Sequence, residues 1–176
     1  TLHNTLFPYT TLFRSDAIHL CTTNESHYSL ASTTLDAGVD ILVEKPLTVD
    51  PNRAYDLVEQ ASECGQILQT GHIFRFANVV REVRDCYRAG KFGAVDCFTL
   101  RWTHRLHHPR DSDVLWDLLP HPIDILNFVT GEWPDRITGL TRTGQHNERP
   151  TTANIAFELG DATAVVQVSW SDYVRR

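Results

Sequence analysis

The chain has 176 residues, 41% hydrophobic and 22% charged, with a formal net charge of −6 and a pI of about 5.8. That is ordinary globular composition, and it excludes a low-complexity or collagen-like chain. No block of Lys or Arg supports nucleic-acid binding, and no apolar run approaches the roughly 20 residues that cross a bilayer, so a soluble cytoplasmic protein is expected.

By length the chain is one domain or two small ones. Residues 5–15, "TLFPYTTLFRS", have neither helical nor strand periodicity and resemble the in-frame translation of a DNA-sequencing adapter. Residues 1–15 are therefore read as an assembly artefact, with the natural chain entering mid-gene near Asp16. From there "AIHLC" (17–21) is a short apolar run suited to a buried strand. "SHYSLASTTLDAG" (26–38) reads as a helix with Ser26 as its N-cap and Gly38 just past its end. "DILV" (40–43) is a second strand. Asp50 then caps a helix with Pro51 in its first position, which Gly65 terminates. Within it Ala54, Leu57, Val58 and Ala61 recur at helical spacing. "QILQTG" (66–71) is a third strand.

This β-α-β-α-β order, with short strands expected to be buried on both faces, predicts a parallel sheet. Parallel strands present their C-terminal ends along one edge, where open α/β sheets bind ligands. The polar residues that follow the strands therefore converge. They are Thr22, Thr23, Asn24 and His27 after the first, Glu44-Lys45-Pro46 after the second, and Gly71-His72 after the third.

The character then changes. "RFANVVREVRDCYRAGKFG" (75–93) reads as a helix ending near Gly90, with Val79, Val80, Val83 and Tyr87 as its apolar stripe. A strand over 94–104 and a polar loop over 105–113 follow. A helix begins near Pro120 or Pro122 and stops at Gly131. Three strand-like runs close the chain, with a tight turn at Gly160-Asp161. This half is α+β with a mainly antiparallel open sheet. The four cysteines, Cys21, Cys64, Cys86 and Cys97, form no C-x-x-C pair and are expected to be structural, Cys21 as a small core residue.

Three groups could carry chemistry. Lys45, at a strand end and restricted by Pro46 to extended backbone, offers a flexible ammonium that can assist a proton transfer or hold a hydroxyl. A surface lysine ending a strand is the plainer alternative. Asp117 and His121 form D-x-x-x-H, with Asp124 further along the same face. A carboxylate near imidazole fixes its tautomer, and such a histidine can take a proton from a carbinol oxygen. The alternative is a helix start with a capping Asp and a half-buried His. "HRLHH" (104–108) invites a metal site through His104, His107 and His108 but has no companion cysteine, so no metal is expected.

"AIHLCTTNESH", "GVDILVEKPLTVD", "QTGHIFRF" and "VLWDLLPHPIDILNFVTG" occur in that order. Together they resemble the Gfo/Idh/MocA family of NAD(P)-dependent oxidoreductases over residues 16–176. The resemblance implies the second half of a Rossmann-type dinucleotide domain over 16–73, then a C-terminal substrate and dimerisation domain over 74–176. It implies His121 as the principal acid/base with Asp117 as its partner, and Lys45 beside the nicotinamide ribose and the substrate hydroxyl. Thr23, Asn24 and His27 would line the dinucleotide. Glu44, Pro46 and His72 would border its nicotinamide end, and Arg75 would brace the two domains. The cofactor would be NAD or NADP, and the substrate a sugar, nucleotide sugar or cyclitol. The whole protein would form a homo-oligomer.

Leu119 stands where many members have Gly, and no G-x-G-x-x-G turn is present. The chain is accordingly expected to be a fragment that is itself inactive and binds NAD weakly or not at all. The competing readings are an NAD-assisted glycosidase or lyase of the same family and a non-catalytic dimerising protein. A metal-dependent hydrolase is more distant.

Overall fold

The computed structural model describes residues 15–103, 112–143 and 149–170. Contacts divide the chain into two units, Thr1–Gly71 and His72–Arg176. The adapter-like segment and the 104–108 histidines lie outside the described residues.

In the first unit, β1 (Ala17–Leu20), β2 (Asp40–Val43) and β3 (Leu68–Thr70) form a parallel sheet in the order β1-β2-β3. Helix α1 (Asn24–Asp36) joins the first two strands and α2 (Pro51–Cys64) the second pair. Leu20, Ile41 and Val43 pack on Ala31 and Leu35 of α1 and on Leu57 and Ala61 of α2. Both helices therefore cover the same face. The expectation of strands buried on both faces fails for β1, where Ala17 and His19 are exposed. Cys21 follows on that uncovered side and is exposed rather than in the core; Cys64 and Cys97 are exposed too. Val58 of α2 also points away from the core.

Helix α1 begins three residues earlier than expected. Ser26 is not its cap: its hydroxyl donates back to the Thr23 carbonyl (2.8 Å) from within the first turn, and Thr23 holds the extended N-cap position. Helix α2 starts and stops where the sequence places it. Asp50 accepts from Asn52 N–H at 3.0 Å, a cap that contributes about 1 kcal/mol. Gly65 ends the helix with φ +67°, a conformation costly for any residue with a Cβ.

The second unit carries α3 (Asn78–Arg88), β4 (Cys97–Thr103), α4 (Val114–Leu118), α5 (Pro120–Thr130), β5 (Arg136–Thr143), β6 (Pro150–Leu159) and β7 (Ala162–Ser169). Its sheet runs β4-β7-β6-β5, with β4 and β7 parallel and the other pairs antiparallel. The sheet is therefore mixed. The two-residue turn Gly160-Asp161 closes the β6–β7 hairpin at Leu159↔Ala162. Ala153, Ile155, Phe157 and Leu159 alternate inward from β6, against Val166 and Val168 of β7 and Val114, Leu118 and Leu126 of the helices. The opposite face, with Asn154, Ala156 and Val165, is uncovered among the described residues.

The run 75–93 is not one helix. Residues Ile73–Phe76 form a 3-10 turn, and extended backbone at Ala77 (ψ 126°) separates it from α3. The expected stripe of α3 also fails. Val79 and Val83 are exposed, and Arg84 joins Val80 and Tyr87 on the more covered side, its guanidinium 4.6 Å above the Phe128 ring. No helix among the described residues is long and apolar enough to cross a membrane.

Candidate functional site

The parallel register brings the loops after β1 and β2 to one edge of the first unit's sheet. Thr22 and Thr23 are exposed there, and Asn24 and Lys45 are half-buried. The Lys45–Pro46 peptide is cis. His27 is fully buried. Its Nδ1 lies 2.9 Å from the Pro46 carbonyl and its Nε2 3.2 Å from the Thr22 carbonyl. The buried ring fills the space between the two loops and can donate to one of their carbonyls; it is a positioning residue for the edge rather than part of its surface. Glu44 Oε1 lies 3.1 Å from His19 Nε2. Its Oε2 occupies space 3.2 Å from where a Cβ on Gly71 would stand, so glycine there leaves room for the carboxylate.

Exposed hydroxyls, an amide and an ammonium are donors suited to the ribose and phosphate groups of a dinucleotide. Helix α1 opens at the same edge with no side chain capping it, and a helix N-terminus favours negative charge. The residues present therefore fit such a cofactor. Thr22, Thr23, Asn24 and Lys45 could hold it.

In the second unit, Asp113 accepts from the N–H groups of Leu115 and Trp116 (2.9 and 3.0 Å) and starts α4 three residues before the D-x-x-x-H motif. Helical backbone at Leu119 (φ −66°, ψ −29°) passes directly into α5, whose second residue is His121. Its ring stands edge-on to Phe74 (5.0 Å between centroids) and lies 5.7 Å from Trp102; Phe74 meets Trp102 edge-on at 4.7 Å. Asp117 Oδ2 accepts from Trp170 Nε1 at 3.0 Å, which anchors α4 to the end of β7. The arrangement offers a histidine among aromatic rings, one helical turn from a carboxylate. Phe74, Trp102 and Trp170 were not singled out in the sequence. Only the aromatic content of "HIFRF" and "LRWTH" hinted at Phe74 and Trp102, and nothing hinted at Trp170.

Arg75 donates from Nε to Asp124 Oδ1 (2.7 Å), with Nη2 2.6 Å from the same oxygen, and donates from Nη2 to Asn127 Oδ1 (3.1 Å). These partners all belong to the second unit. These bonds join the 3-10 turn to α5 within the second unit. His72 also falls in this unit, its Nδ1 buried and 3.7 Å from Asp124 Oδ1, beyond hydrogen-bond length.

Burial lowers the pKa of His72 below its ordinary 6.5; Asp124 opposes that shift and Arg75 adds to it. At mildly acidic pH the folded state therefore binds fewer protons here than the unfolded chain. The residue's contribution to stability is fully present above pH 6.5 and is lost as pH falls below that value, levelling off beneath the folded pKa. Urea unfolding followed by tryptophan fluorescence is expected to show a lower midpoint at pH about 5 than at about 7.5. His72→Gln is expected to reduce that difference. An unchanged pH dependence in the variant counts against the assignment.

Two family models match the chain. One, described as an oxidoreductase family with an NAD-binding Rossmann fold, covers residues 8–72, and the other, the GFO/IDH/MocA C-terminal domain, covers residues 80–176. UDP-N-acetylglucosamine 3-dehydrogenase of Acidithiobacillus ferrooxidans is 35% identical over 68% of this chain and 37% of its own length. 1,5-anhydro-D-fructose reductase of Ensifer adhaerens is 30% identical over 73% of this chain and 41% of its own. The chain thus spans about two fifths of these relatives. The solved structure of the Acidithiobacillus enzyme superposes with a TM-score of 0.78 at 27% identity, covering 92% of this chain and 52% of that one. With both units matched and the fold shared, the chain belongs to the Gfo/Idh/MocA family of oxidoreductases.

Proposed function

We propose that the whole protein is an NAD(P)-dependent dehydrogenase that oxidises a secondary alcohol of a sugar, nucleotide sugar or cyclitol. The observation that carries this reading is the histidine on α5. His121 sits among aromatic rings one turn from Asp117, on a chain whose two units both match an oxidoreductase family. The relatives' names supply the substrate class: UDP-N-acetylglucosamine 3-dehydrogenase and inositol 2-dehydrogenase both act on secondary alcohols.

The nicotinamide, when bound, supplies the hydride chemistry. His121 takes the carbinol proton as general base, and Asp117 keeps its tautomer. Lys45 holds the substrate hydroxyl. Thr23, Asn24 and Glu44 contact the dinucleotide. His27 fixes the Pro46 carbonyl and with it the loop that bears Lys45, and His72 borders the nicotinamide end. Residues 16–73 serve the cofactor and residues 74–176 the alcohol and self-association. The uncovered face of the four-stranded sheet, where Val165 is 44% exposed, supports a homo-oligomer. A cytoplasmic location belongs to the same reading and rests on the composition.

The test is absorbance of reduced nicotinamide when the whole gene product meets NAD or NADP with UDP-N-acetylglucosamine, myo-inositol or a free aldose. Net reduction with a matching yield of ketone is the expected result. Product formed without net reduction favours the NAD-assisted elimination chemistry instead. No turnover with any pair overturns the proposal.

A further inference from the structure

The face of the first unit's sheet away from its helices, uncovered among the described residues, carries a group of which the dehydrogenase reading uses only Glu44. His19 and Cys21 are two apart along the chain, so the pleat points both to the side away from α1 and α2. The Glu44 N–H donates to the Leu20 carbonyl, which continues the β1–β2 pairing by one step and sets Glu44 beside Cys21. His19 Nε2 lies 3.1 Å from Glu44 Oε1 and 3.4 Å from Cys21 Sγ, and all three ligand atoms lie within 4.8 Å of one another.

We propose that His19, Cys21 and Glu44 form a binding site for a single borderline-soft divalent cation, of which zinc is the best match. In tetrahedral zinc coordination, bonds of about 2.0–2.3 Å put N–O and N–S neighbours about 3.3–3.6 Å apart. The two distances from His19 Nε2 come within a few tenths of an ångström of those values. The Cys21–Glu44 separation lies within the same 4.8 Å limit. Imidazole, thiolate and carboxylate all suit zinc, and three protein ligands leave the fourth position for water or an added ligand.

Without a cation the trio is poorly matched. One Nε2 position faces both an acceptor-only carboxylate and a thiol. If it carries the proton for Glu44, it has no lone pair for the Cys21 S–H. A cation takes a lone pair from all three at once, and Cys21 releases its proton to solvent on binding. The site goes beyond the dehydrogenase reading, shares only Glu44 with it, and does not rest on it.

Cobalt(II) is the probe, because thiolate ligation gives it a charge-transfer band in the near ultraviolet and a tetrahedral field strengthens its visible bands. The purified chain titrated with cobalt is expected to develop both, and added zinc is expected to bleach them. Cys21→Ser is expected to abolish the charge-transfer band. The triple variant Cys64→Ser, Cys86→Ser, Cys97→Ser is expected to keep it. His19→Gln is expected to weaken binding by more than about tenfold. Circular dichroism on every variant confirms that the fold is retained. A wild-type chain without the band, a band that survives Cys21→Ser, or a band lost from the folded triple variant overturns the proposal.

Discussion

Replacing His121 by asparagine in the whole protein is expected to lower kcat about a thousandfold, the middle of the range for losing a positioned general base. Asparagine keeps a polar group of similar reach on α5 but cannot accept and return a proton near neutral pH. The KM for the nicotinamide is expected to change little, since an interaction made mainly in the transition state leaves ground-state binding intact. The limb of the pH–rate profile set by the imidazole is expected to vanish. A structural role predicts something else. His121 packs edge-on against Phe74 and near Trp102, so a purely structural loss would appear as a shifted unfolding midpoint with the pH profile preserved. Turnover within tenfold of wild type removes His121 from the acid/base role.

Arg75→Met is expected to destabilise the second unit by about 3 kcal/mol. Asp124 is 5% exposed, and Arg75 sends two N–H groups to one of its oxygens. Met keeps much of the side-chain volume beside Phe128 but removes the cation, leaving a buried carboxylate beside a histidine whose charged form burial disfavours. That uncompensated charge is the main cost. Because the Arg75 side chain is itself 37% exposed, water shares in the pair's solvation and the lower end of the range for buried pairs applies. Adding Asp124→Leu is expected to recover part of the loss, since both charges are then gone. Trp102, Trp116, Trp133 and Trp170 all lie in the second unit, so fluorescence during urea unfolding reports it selectively. A single substitution that costs less than about 1 kcal/mol, or a double variant no more stable than the single, contradicts the account.

The fold was legible where a local rule acted alone. Asp50-Pro51 and Gly65 fixed both ends of α2, and short apolar runs separated by helical spacing gave a parallel sheet. It was misread where two rules competed. Ser26 has the chemistry of a cap, yet its hydroxyl bonds back to residue 23, and the helix starts earlier. Val79 and Val83 carry apolar side chains at helical spacing, yet the long arm of Arg84 covers Phe128 in their stead. Of the site residues, those that follow parallel strands could be placed in advance, because strand direction alone decides where they gather. Partners distant in sequence could not. Nothing in "HLC" announces Glu44, 25 residues beyond His19, and nothing near Asp117 announces Trp170, 53 residues away. Such pairs depend on register, which one sequence does not spell out.

The buried imidazole of His27 has a practical corollary for engineering. Since one buried ring lies within hydrogen-bond distance of the backbone carbonyls of both Thr22 and Pro46, the two loops share a packing element. Both contacts are to main-chain carbonyls, so side chains at 22 and 46 can change while the tie at residue 27 is kept. Altered ligand preference should be sought by recombining the two segments as a matched set, with residue 27 held constant.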